Sequence, residues 1–131
     1  MWTDIDDLTD RKNHTYMRNK HAVGEALEGC FDATGIDNLG TEQPTEAQLA
    51  TMSQIMAVLA INGGVPLDNQ LTHAEAADNK DGWYAHEPYG PDSTVERWDL
   101  LVVHEADERW SGGPWLRGTA RWWANQWGSV I

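Results

Sequence analysis

Four side chains in the middle of the chain could meet at one metal ion: His73, Glu75, Asp78 and Asp99. A catalytic zinc takes three protein ligands, drawn from neutral imidazole and deprotonated thiol or carboxylate, and keeps a fourth position for water. That open position lets the ion acidify its water and polarise a carbonyl. By residue type alone the set is weak. An acidic chain carries many carboxylates by chance, and a single histidine in a strand is more often structural than a ligand. Arg97, two residues before Asp99, adds a guanidinium that keeps its charge, so it suits stabilising an oxyanion better than moving a proton. An ion pair with neighbouring Glu96 or with Asp99 explains it equally well. Cys30, the only cysteine, reads as a small apolar residue rather than a reactive thiol.

These residues need elements to hold them, and one element is plain. Thr45 is a good N-cap, and Gln48 three residues later closes a capping box. Leu49, Met52, Met56 and Leu59 then fall at helical spacing, with Ile55 beside them. Asn62-Gly63-Gly64 supplies a left-handed stop. The spacing therefore predicts a helix over 46–61 with one buried face. Residues 22–27 alternate weakly and are expected to form a strand, and the apolar run WDLLVV over 98–103 predicts another. Leu71-Thr72-His73-Ala74 is a further short apolar stretch. Residues 79–94, rich in Gly, Pro, Asp and Tyr, read as a long surface loop of the kind that often carries function. After Ser111-Gly112-Gly113, Pro114 can open a second helix, with Leu116, Ala120, Trp123 and Trp127 as its docking stripe.

The composition bounds what such a scaffold can do. With 131 residues there is room for one domain, and 40% hydrophobic residues with eight tryptophans argue for a folded one. A formal net charge of −12, with the few basic residues scattered, argues against nucleic acid and against an anionic membrane surface. The start, MWTDIDDLTDRK, is acidic and has no apolar core of a signal peptide. No apolar run approaches the roughly 20 residues of a membrane span. Localisation stays open on these grounds.

The order and wording of the segments add a resemblance. Residues 23–29 (VGEALEG), 44–49 (PTEAQL), 71–78 (LTHAEAAD), 89–91 (YGP) and 96–100 (ERWDL) follow one another as they do in the zinc-dependent N-acetylmuramoyl-L-alanine amidases, the family that shares its fold with peptidoglycan-recognition proteins. The pair THAEAAD plus ERWDL is the specific part, and it is similar to the phage and prophage branch. His14-Thr15-Tyr16-Met17-Arg18-Asn19 is similar to that family's HTYGRN segment. The resemblance covers roughly residues 13–123.

It implies an α/β fold, a small mixed sheet packed by helices, here incomplete. Residues 1–20 would be a polar arm, and 21–131 an amidase-like unit lacking the family's N-terminal strands and helix. It further implies that His73 and Asp99 are zinc ligands, that Arg97 stabilises the tetrahedral intermediate, and that His14, Tyr16 and Asn19 line the substrate groove. The activity implied is hydrolysis of the amide between the lactyl group of N-acetylmuramic acid and L-alanine. It would act on cell wall, as a phage lysin or virion component. The family's first zinc histidine precedes its HTYGRN segment, and only thirteen residues precede His14. The third ligand would then come from a second chain or from His14, His21, His86 or His104. The other reading is a module that binds peptidoglycan or serves in a virion without cutting, with the aromatics of the long loop and C-terminal helix (Trp83, Tyr84, Tyr89, Trp110, Trp115, Trp122) stacking on sugars or meeting a protein. Without the early strands, the edge near 22–27 is expected to be covered by a protein partner or another copy.

Overall fold

The computed structural model describes residues 22–83, 88–94 and 96–131. The predicted first helix is present as α1, Glu46–Asn62, and its start is set by the expected capping box. The Thr45 hydroxyl accepts from the Gln48 N–H at 3.1 Å, and the Gln48 side chain accepts from the Thr45 N–H at 2.8 Å. The helix stops at Gly63, and the left-handed residue is Gly64, at φ +67°. A short 3-10 turn, Leu67–Asn69, leads to a one-turn helix α2, His73–Ala77. The second predicted helix is α3, Gly112–Gln126. Its C-terminus closes as a Schellman turn: Gly128 is left-handed, and Ser129 and Gly128 donate to the carbonyls of Ala124 and Asn125.

The core lies where α1 crosses α3. Leu49, Met52, Met56 and Ala57 of α1 meet Leu116, Ala120 and Ala124 of α3, with Leu67 and Val103 closing the cluster. The two alanines leave room for the larger side chains of α1. Trp123 packs at the margin of this cluster, whereas Trp127, expected in the docking stripe, is exposed. Its ring lies 6.1 Å from that of Trp123, and Ala124 takes the buried position on α3.

The expected mixed sheet is not there. Among the described residues no strand forms, and the one β-bridge is an isolated pair, Gly35 and Asn38. The run over 98–103 misled because a continuous apolar stretch shows burial without showing a period. Leu101, Val102 and Val103 are buried in succession, with no exposed alternate face. The backbone turns just before them, with Arg97 at φ +50° and Leu100 at φ +59°. The backbone bonds it makes are those of a turn and a helix start rather than of a ladder: Leu101 donates to Trp98 at 2.9 Å, and Gly112 at the start of α3 donates to Leu101 at 3.0 Å. Gly112 is required there, since a Cβ would run into the Leu100 carbonyl.

Residues 22–27 likewise have no partner strand, so the edge expected to need covering does not exist among the described residues. Apolar surface does: Val23 within the segment and Ile55 beside it are 44% and 43% exposed. No described helix is long and apolar enough to cross a membrane.

Candidate functional site

His73 is the first residue of α2, in the stretch that the sequence marked only as short and apolar. The short helix is defined by a second capping box, Thr72 with Glu75, in which the Glu75 carboxylate accepts from the Thr72 N–H at 2.9 Å. One turn does not persist on its own. It is held by α3: the Arg117 guanidinium forks onto Glu75 at 2.9 and 2.8 Å and also donates to the Gln70 carbonyl at 3.0 Å. Burial pushes the Glu75 carboxyl up, but its bonds to Arg117 and Thr72 together outweigh this and hold it below the usual range. Gly113 sits against the same carboxylate, where a Cβ would collide with it.

Asp99 reaches His73 from the turn that replaces the expected strand. The Asp99 carbonyl accepts from the Ala74 N–H at 3.1 Å. On the same turn its carboxylate lies 2.6 Å from His73 Nδ1. That hydrogen bond is the main reason the Asp99 carboxyl is held below its ordinary value, against a smaller opposing effect of burial. Water screens the pair, because the Asp99 side chain is 68% exposed and that of His73 31%. Arg97 rests its guanidinium over the Tyr89 ring, 5.3 Å from the centroid. It is 3.9 Å from the Glu96 carboxylate, too far for a hydrogen bond.

The other candidate ligands are engaged elsewhere. Glu75 is the anchor just described. Asp78 is buried and organises the 90–93 turn, accepting from the Asp92 N–H at 2.9 Å and from the Ser93 hydroxyl at 3.3 Å. Gly90 packs directly on it. His104 bridges Glu46 at 2.9 Å and Asp107 at 3.3 Å, its ring edge-on to Trp115. These two carboxylates face different ring nitrogens, so the three do not converge on one point. His14, Tyr16, Asn19, His21 and His86 lie outside the described residues. The Cys30 thiol is pushed up by burial and by the charges of Asp32 and Asp99, which disfavours the nucleophilic thiolate.

Two donors bound to one tetrahedral zinc lie roughly 3.3 Å apart, given bonds of about 2.0 Å. The observed 2.6 Å is a direct hydrogen bond, and the pair would have to open by roughly 0.7 Å to admit an ion. Among the described residues no group of three His, Cys, Asp or Glu side chains could hold a metal. The described residues thus bring together two donors of the types zinc takes, at a hydrogen-bonding rather than a ligating separation, and supply no third. As it stands, the pair is a carboxylate fixing the orientation and tautomer of an imidazole, an arrangement equally useful to a metal ligand or a general base.

One cluster escaped the sequence reading. Asp92 gathers Lys80 at 2.7 Å, Arg109 at 3.1 Å and the Trp110 indole N–H at 3.3 Å, with the Lys80 ammonium 4.1 Å above the Trp110 ring. Residues this far apart in sequence leave no local pattern to read. No protein-family model, no curated protein and no solved structure matches the chain.

Proposed function

We propose that this chain carries the histidine and carboxylate of a zinc-dependent N-acetylmuramoyl-L-alanine amidase centre. The third donor is supplied from outside the described residues or by a second chain. The observation that carries the reading is the approach of His73 to Asp99 across 26 positions of sequence, added to the order of segments that resembles the family. It does not depend on a sheet. Zinc, when bound, would supply Lewis acidity towards the amide carbonyl and a more acidic water. The chain's own part is positional. Before an ion enters, Asp99 orients the His73 ring, the Arg117–Glu75 pair holds the helix that bears it, and Arg97 keeps a permanent cation on the same turn as Asp99.

A second reading is a wall-binding module that does not cut. It is favoured by the use of Glu75 and Asp78 as scaffold and by the exposed rings of Trp83 and Trp122. One set of measurements separates the two: zinc titration against a chromophoric chelator, binding to purified cell wall, and release of stem peptides with zinc and with chelator. On the amidase reading zinc binds, and His73→Ala and Asp99→Ala each weaken it by at least about ten-fold. The chain alone then releases peptides slowly or not at all. Robust, chelator-sensitive release that disappears in His73→Ala would place the third donor in this chain. Zinc affinity unchanged in both variants would sink the metal reading, and wall binding that survives both without any release supports the second.

A further inference from the structure

One side of α1 carries exposed apolar side chains, Ile55 and Val58, that the described residues leave uncovered. Between this side and the segment 25–28 runs an open groove of about 370 Å³. Leu27, Met52 and Ile55 make its apolar floor, and its charged lining residues, Glu25 and Glu28, are both acids. Ile55, which lines the groove, is exposed. A helix that is apolar all round is ordinarily covered all round.

The Glu25 carboxyl is the telling group. Its Oε1 is sealed from water and has no hydrogen-bond donor among the described residues. Burial pushes the carboxyl up to about 7, as expected for an acid that loses hydration without gaining a partner. The other oxygen, Oε2, is not sealed in this way, and a cation that reaches it there would stabilise the carboxylate. A second copy of this chain would bring a net charge of −12 with it, and like charges facing each other across an interface are penalised. The complement of the groove is therefore cationic at one point and apolar along its length.

We infer that this groove docks an apolar segment of a partner protein bearing a lysine, whose ammonium pairs with Glu25 while its aliphatic stem lies on Leu27, Met52 and Ile55. Lysine fits because its four-carbon stem covers apolar surface while the charge sits at the tip. The groove shares no residue with the His73–Asp99 pair, so this inference and the amidase reading stand or fall separately.

The test titrates the isotope-labelled full chain at about pH 8, above the Glu25 value, with acetyl-Leu-Lys-Leu-Leu-amide and with its norleucine counterpart, which lacks only the ammonium. The expected result is amide shifts confined to residues 25–28 and the first turns of α1, with the lysine peptide bound roughly ten-fold tighter. That preference should collapse in Glu25→Gln, and in wild type as the pH falls to about 6 and the carboxyl takes a proton. Ile55→Asp, a change at an exposed position that leaves the core intact, should weaken both peptides. The inference is overturned if the peptides bind equally or not at all, if the preference survives Glu25→Gln, or if the shifts map to Trp122 and Trp127. Self-association of the free chain through this face, undisturbed by peptide, would overturn it in favour of a second copy.

Discussion

The one-turn helix α2 carries two acid–base pairs that differ in almost every physical respect. Glu75 pairs with Arg117 through two parallel hydrogen bonds, and both side chains are largely shielded, at 13% and 17% exposure. His73, two residues away, pairs with Asp99 through one bond in water. A forked, shielded pair has a fixed geometry and a heavy cost of disruption. An exposed single bond contributes little stability but leaves an imidazole and a carboxylate accessible to a ligand. The scaffold pair and the pair proposed for chemistry thus share one helix of five residues, and burial separates them.

The largest effect should come from breaking the shielded pair. Arg117→Ala leaves Glu75 shielded and unpaired and should cost about 3 kcal/mol, read as a shift in the urea midpoint. The pH dependence has a definite sign. Glu75 is held below its ordinary value, so its contribution is present above the unfolded carboxyl value of about 4.3 and is lost as pH falls through the lower folded value. In Arg117→Ala that acid-side loss should be absent. A small effect, under about 0.5 kcal/mol, would show that the pair is not what holds α2.

The two halves of that scaffold were unequally visible in the sequence. Helix α1 was legible because its cap, its buried spacing and its glycine stop agree over 17 residues. The cap of α2 was written in the same form, Thr72-His73-Ala74-Glu75, but the helix is a single turn and lacks the period that would have confirmed it. Arg117 lies 42 positions from Glu75, a distance at which no local pattern operates. The run over 98–103 announced burial correctly and geometry wrongly, since burial by two helices and burial in a sheet look alike in an apolar stretch. The pairing of His73 with Asp99 was suggested only by the order of segments in the resemblance. The residue types themselves did not distinguish it from Glu75 or Asp78.

Comparing the two capping boxes sharpens the contrast at intermediate size. Thr45→Ala removes the hydroxyl that accepts from Gln48 and should destabilise the whole fold by about 1 kcal/mol, because α1 is half of the core. Thr72→Ala removes the equivalent bond to Glu75, but Arg117 still holds that carboxylate. Its effect should be mainly local: faster amide exchange over 73–77 and a smaller change in the urea midpoint than for Thr45→Ala. Equal global costs would mean that α2 unfolds only with the core, and the proposed division of labour would be lost.

The smallest expected effect on stability is also the most informative about chemistry. Asp99→Asn keeps the size of the side chain and its capacity to hydrogen-bond His73, while removing the charge. Because the Asp99 side chain is largely in water, the urea midpoint should move by no more than about 0.5 kcal/mol in equivalent stability. The backbone bond from Ala74 to the Asp99 carbonyl does not depend on the side chain, so the turn should persist. The imidazole should respond instead. A carboxylate can only accept, so it places the proton of a neutral His73 ring on Nδ1, whereas an amide can accept from Nδ1 or donate to it and removes that constraint. Ring nitrogen shifts of His73 measured by NMR should therefore show a changed or mixed tautomer in the variant, alongside the weakened zinc binding. If Asp99→Asn instead costs about as much stability as Arg117→Ala, the exposed pair is scaffold like its neighbour. The molecule would then have no solvent-facing dyad set aside for chemistry among its described residues.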